Sequence, residues 1–253
     1  MSLYVKLETP GAFDFAAFTR ATRGTLALLA SLLKFQKCDP TVLGQIEAQV
    51  SGFVKAIRLG TSAAQCGFTT AEDILILSEL VQSTTLEERR EYLNGTLELA
   101  DQAYSQSKEA QQVFRQVRTE IMSIVGKLNS VETVSKPSSS ATRTSLEGRL
   151  RGIEALDSFE KHISALADWW DWIKIETKVQ RNGRSAIVDF DDSSLRERSV
   201  IDRWKLLRVQ FLDYTNMSSF QNPIKFRLHI KDQSRKVTRI RDMYFFDRIY
   251  VAL

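Results

Sequence analysis

From Leu86 to Val131 apolar side chains recur at helical spacing: Leu86, Leu93, Leu97, Ala100, Tyr104, then Ala110, Phe114, Val117, Ile121, Ile124, Leu128 and Val131. Ser107 is the polar interruption, and Glu, Arg, Gln and Lys fill most positions in between. This is a heptad seam sustained over about six repeats. A continuous helix over it would run about 67 Å at 1.5 Å per residue. A compact globule of 253 residues is only roughly 45 Å across. The chain is therefore expected to form an elongated, mostly α bundle.

A second seam follows. Thr144 and Glu147 have the spacing of a capping box, and Leu146, Leu150, Ile153, Leu156, Phe159, Ile163, Leu166, Trp170 and Ile173 continue from it. The stretch 135–145, SKPSSSATRTS, is a polar connection. Two long helices joined this way predict an antiparallel coiled-coil hairpin, with Ile121 and Ile163 fully buried. Thr85 and Glu88 form another capping box at the head of the first long helix.

The rest reads as additions to that hairpin. Residues 4–8 alternate as a short strand would, until Pro10 and Gly11 break them. Residues 12–35 are helical in composition, and LALLASLL at 26–33 is apolar on every side, as in a helix buried mid-bundle. Asp39-Pro40 starts a helix that carries Leu43, Ile46, Val50, Phe53 and Ile57. Gly60 is expected to end it, with 60–68 a loop and Thr70 with Asp73 opening a short helix through Val81. Asn182-Gly183 predicts a β-hairpin within 177–190. Ser194 and Glu197 then cap a helix that presents Val200, Trp204, Leu207, Phe211 and Tyr214 on one face. Asn222-Pro223 breaks again, and 224–230 alternate. The expectation is one elongated helical domain over 1–253. It comprises helices to 134, the linker 135–145, the second long helix and its additions to 215, and a basic segment 216–253.

Composition narrows the chemistry. Eleven Gly and four Pro suit long uninterrupted helices. Two cysteines make no disulfide framework. The N-terminus MSLYVKLETP lacks the apolar core of a signal peptide, and no run approaches the roughly 20 apolar residues of a membrane span. A soluble, cytoplasmic protein is expected. His162 and His229 are the only histidines and stand at no metal-ligand spacing. No phosphate-cradling loop, nucleophile elbow or zinc-protease motif occurs. Asp189, Asp191 and Asp192 precede a helix, where negative charge complements the dipole. No catalytic residue, cofactor, metal or small-molecule substrate is predicted.

Three features point to contacts instead. Leu26, Leu28, Leu29, Leu32 and Leu33 make an apolar segment flanked by Arg20, Arg23 and Lys34. Trp169, Trp170 and Trp172 cannot all face one seam, so Trp169 and Trp172 are candidates for a partner or lipid interface, or for packing on another element. Lys225, Arg227, Arg235, Lys236, Arg239 and Arg241 interleave with aromatics in a C-terminal segment of local charge +5 within a chain of +4. That combination suits phosphate contacts with base stacking, and strand alternation explains it equally well.

The two long seams and the apolar segment 26–33 together resemble the α-helical pore-forming toxins of the cytolysin A and haemolysin BL type. That resemblance is architectural, covers about 160 residues, and implies long antiparallel helices with an apolar element that moves into a membrane. The departure is the polar SKPSSSATRTS where those proteins often carry an apolar tongue. The expected function is thus non-enzymatic: a membrane-active or assembling protein. A coiled-coil scaffold without membrane activity is the first alternative, and nucleic-acid binding through the basic segment the second. Self-association or a protein partner is expected, and a lipid membrane is the further candidate.

Overall fold

A computed structural model describes residues 4–5, 13–33, 40–80, 82–134, 140–178, 189–190 and 197–219. The protein is mostly α. Among the described residues there are five helices: α1 (Phe15–Leu33), α2 (Pro40–Leu80), α3 (Leu86–Val134), α4 (Ser140–Lys178) and α5 (Arg198–Ser219). Tyr4–Val5 and Asp189–Phe190 make a two-residue parallel pairing. At 49 residues, α3 spans about 73 Å.

Local signals set several helix ends. Asp14 caps α1 by accepting the Ala17 amide at 2.8 Å. Phe13 before the cap packs its ring against Phe18, 5.9 Å away, as a hydrophobic staple. The Thr85–Glu88 box forms as expected: the Thr85 amide donates to Glu88 Oε2 at 2.7 Å, and the Glu88 amide donates to Thr85 Oγ1 at 3.3 Å. The carbonyl of Glu197 accepts the first amide bonds of α5, from Val200 and Ile201.

Four expectations are corrected. Residues 60–68 are no loop, because α2 runs unbroken from Pro40 to Leu80. Thr70 is buried in its interior and opens no new helix. The small residues there mark close helix packing: a Cβ on Gly67 would sit inside the Phe211 ring. α4 begins at Ser140, ahead of the Thr144 box, since no Gly or Pro follows Pro137 to stop the helix extending backward. Its far end takes in Thr177 and Lys178, which were expected to start a strand. Residues 179–188, the rest of that expected hairpin, lie outside the described residues.

Consecutive helices run antiparallel. Lys55 pairs with Glu109 at 2.8 Å, the Phe53 ring lies 5.6 Å from that of Phe114, and a Cβ on Gly52 would meet Val117, so α2 and α3 pass in opposite directions. The turn between them closes on the Leu80 carbonyl, which accepts from Ser83 and Thr84. Along α3 and α4, Asp101 meets Lys174 at 3.1 Å, Lys108 meets Asp168, Gln111 donates to Ser164 at 2.7 Å, and Arg118 donates to Asp157 at 2.6 Å. Each step forward on α3 is met by an equal step back on α4. Ile121 and Ile163 are fully buried.

The two short helices share one job. α5 lies antiparallel on the C-terminal half of α2, with Tyr214 at Gly60, Phe211 at Gly67 and Arg208 at Glu72. α1 lies antiparallel on α4, with Phe18 near Phe159 and His162, Gly24 at Ala155 and Leu28 at Gly152. Through the α2–α3–α4 register, α5 stands beside the first half of α3 and α1 beside the second. They meet where Phe15 packs on Phe211 and Tyr214, and where Phe18 stacks on Tyr214 at 4.7 Å. The three long helices are thus completed by a fourth strut in two pieces, drawn from opposite ends of the chain.

The first long seam drifts from its heptad frame. Ala100, Ala103, Ser107, Ala110, Phe114 and Val117 are buried, whereas Tyr104 is half-buried under the Lys174 ammonium, 4.3 Å from its ring centre. A straight helix repeats every 3.6 residues and so walks off a 3.5-residue seam. Ser107 is therefore a core residue, and it does not interrupt the packing.

Candidate functional site

The rings at the junction of α1 and α5 are the best-defined constellation in the core. From Trp204, Phe211 and Tyr214 on α5 they pass to Trp169 and Trp170 on α4, to Phe15 and Phe18 on α1, and on to Phe159, Phe53 and Phe114. The sequence permits this because α3 is small there. Ala100, Ala103 and Ser107 stand at the height of Trp169 and Trp170, bracketed by the Asp101–Lys174 and Lys108–Asp168 pairs. Large rings facing small side chains restore interior packing density. Full burial of one such ring stabilises by about 1.5–3 kcal/mol.

The candidate contact residues fall inside this core. Trp169 is buried and packs edge-on against Trp170, Trp204 and Phe211, while Trp172 is half-buried against the core. Trp169 is thus covered by the rings of α5. Leu28, Leu29 and Leu32 are buried, and Leu26 and Leu33 pack partly buried against them. The segment is not covered on every side: Ala27 and Ser31 face outward. Among the described residues no helix is long and apolar enough to cross a membrane. The basic residues Lys225, Arg227, Arg235, Lys236, Arg239 and Arg241 lie outside the described residues.

His162 is half-buried, its ring 6.1 Å from that of Phe18, and its Nδ1 is 2.6 Å from the Ser158 carbonyl. A carbonyl only accepts, so Nδ1 carries the proton in that bond. Burial pushes the Cys66 thiol up, away from a reactive thiolate. Burial pushes the Tyr214 phenol far above its ordinary range, partly offset by the Thr22 hydroxyl. Burial, with Glu72 next to it, raises Asp73. Among the described residues no group of three His, Cys, Asp or Glu is placed to hold a metal ion.

A different set of residues reaches the surface. Leu206, Val209 and Leu212 on α5 are 52%, 51% and 42% exposed. Ile76, Leu80 and Leu86 are exposed around the end of α2 and the start of α3. Sequence reasoning assigned α5 a single apolar face and missed these. The signal was present: Leu206, Val209 and Leu212 follow a three-residue spacing on the side away from Trp204, Leu207 and Phe211. No family model matches the chain, and no curated protein matches it.

Proposed function

We propose that this protein is a non-enzymatic interaction scaffold, a rod of long helices that works by association. The observation that carries this reading is an asymmetry. Of eight large apolar residues exposed among the described residues, six lie on α5 or around the α2–α3 turn, and Met122 and Leu150 are the other two. Exposed apolar residues grouped in one half of a molecule mark a contact surface better than scattered ones do. In this reading the α3–α4 pair is a coiled-coil hairpin that stiffens the rod. The small β pairing ties the N-terminal strand beside it.

Membrane activity of the pore-forming kind is the second reading. It rests on α1, a short helix holding Leu28, Leu29 and Leu32 against the stem, whose burial a bilayer would also supply. A lock between α1 and α4 separates the two. A Cβ on Gly24 would stand 2.6 Å from that of Ala155, so a Gly24→Cys, Ala155→Cys pair in a C38S/C66A background closes once the helices part by about 1 Å. Vesicles of neutral and of anionic lipid are loaded with dye and mixed with the oxidised and the reduced variant. The scaffold reading expects no leakage from either form. Leakage by wild type and the reduced variant, abolished on oxidation, would replace it with the membrane reading.

A further inference from the structure

The outward face of α5 is self-complementary. At 3.6 residues per turn, Val209 lies opposite the core line of Trp204, Leu207 and Phe211 and at the middle of the exposed stripe. Leu206 is three residues before it and Leu212 three after; Lys205 is four before and Asp213 four after. All five are exposed. The sequence around Val209 is thus apolar at plus and minus three, with opposite charge at plus and minus four.

We infer that this face pairs with the same face of a second copy of the chain, antiparallel, with the twofold axis at Val209. In that arrangement residues equally distant from Val209 share a layer. Leu206 packs beside Leu212 of the second copy, and Lys205 stands beside Asp213 of the second copy. The twofold makes each layer occur twice, as an isologous interface requires. A parallel arrangement sets Lys205 beside Lys205 and Asp213 beside Asp213 and is disfavoured, the same logic by which flanking charges orient coiled coils. Burial of the three apolar residues supplies the attraction, and the charges supply the direction.

The inference deepens the scaffold reading by naming its partner, and it has its own readout: the mass in solution, where the scaffold reading is judged by leakage. Full-length protein is taken from low micromolar to submillimolar concentration in sedimentation velocity, with helical content followed by circular dichroism. Wild type is expected to pass from one chain mass to two. Val209→Glu brings two carboxylates together at the axis and weakens association by at least about a hundredfold. Lys205→Asp alone, or Asp213→Lys alone, sets like charges in both layers and weakens it by about tenfold. An equimolar mixture of these two variants restores association, because one then carries two acidic groups and the other two basic ones. The double variant Lys205→Asp, Asp213→Lys restores it as well. A wild type that stays at one chain mass throughout overturns the inference. So do single charge variants that associate like wild type, or a mixture that associates no better than its components.

Discussion

The two pieces of the fourth strut do the same structural work by opposite means. α5 inserts large rings: Trp204 and Phe211 pack on Trp169 at a height where α3 buries Ala100, Ala103 and Ser107, and Tyr214 packs on Phe15 and Phe18. α1 beyond its first turn is held by leucines and by backbone proximity, with Gly24 against Ala155 and Leu28 over Gly152. Their outer faces differ too. Ala16, Arg20, Arg23, Ala27 and Ser31 point outward from α1, whereas α5 shows Leu206, Val209 and Leu212. Burial explains both inner faces. Of these two outer faces, that of α5 alone exposes large apolar side chains.

The sharpest way to break this comparison is to remove the largest ring from α5. Trp204→Ala should cost about 3–5 kcal/mol, the range for truncating a fully buried aromatic, read as a lower denaturant midpoint. If the strut is truly in two pieces, native-state hydrogen exchange should rise over α5 and the facing turns of α2. Amides of α1 from Gly24 onward should stay protected. Equal loss of protection in both helices would show a single cooperative strut.

In α1 the matching test adds an atom. Gly24→Ala places a methyl 2.6 Å from Ala155 Cβ, so the helices must part. Overpacking of this kind costs about 1–3 kcal/mol. Gly44→Ala is the control, since nothing lies within 4 Å of a Cβ there. It should stabilise by about 0.5–1 kcal/mol through helix propensity alone. Equal effects at the two positions in chemical denaturation would remove the close-approach account of α1.

How far these features could be read in advance depends on how local their causes are. Thr85 and Glu88 settle a helix end between themselves, and the box formed as its spacing implies. Gly60 and Gly67 read as a helix end and a loop because glycine lowers helix propensity. Their reason is Phe211 and Tyr214, well over a hundred residues away. The stacking of α5 against the start of α1 was invisible for the same cause, since it follows only once α2, α3 and α4 are in register. The outer stripe of α5 was legible in principle, and the stronger apolar face on the other side of the same helix hid it.

At the junction itself, pH tests the burial of Tyr214. Its folded-state pKa is raised above the unfolded value of about 10. The neutral phenol's contribution is therefore fully present below pH 10 and is lost as the pH rises further. From pH 10 up to the raised folded-state pKa, stability should fall by about 1.4 kcal/mol per pH unit for this one group. Tyr214→Phe removes that slope. A wild type and a Tyr214→Phe variant with the same alkaline stability profile would mean that the phenol reaches water in the folded state.

The smallest effect is expected outside the strut, at the ion pairs that line α3 and α4. Arg118 donates to Asp157 at 2.6 Å and lies 3.2 Å from Glu160, but its side chain is 36% exposed and that of Asp157 54%. Solvent screens such pairs, and holding two long side chains in one geometry costs entropy, so Arg118→Ala should lower stability by no more than about 1 kcal/mol. The loss should shrink in molar salt, where the screening length falls to about 3 Å. The value of the ladder is directional. Asp101 faces Lys174, whereas Lys108, Arg115 and Arg118 face Asp168, Glu160 and Asp157, so the sign changes once along α3. A double-mutant cycle on Arg118 and Asp157 should return a coupling of a few tenths of a kcal/mol. A coupling above 2 kcal/mol would mean that the rod, and not the ring-filled junction, is where the molecule keeps its stability.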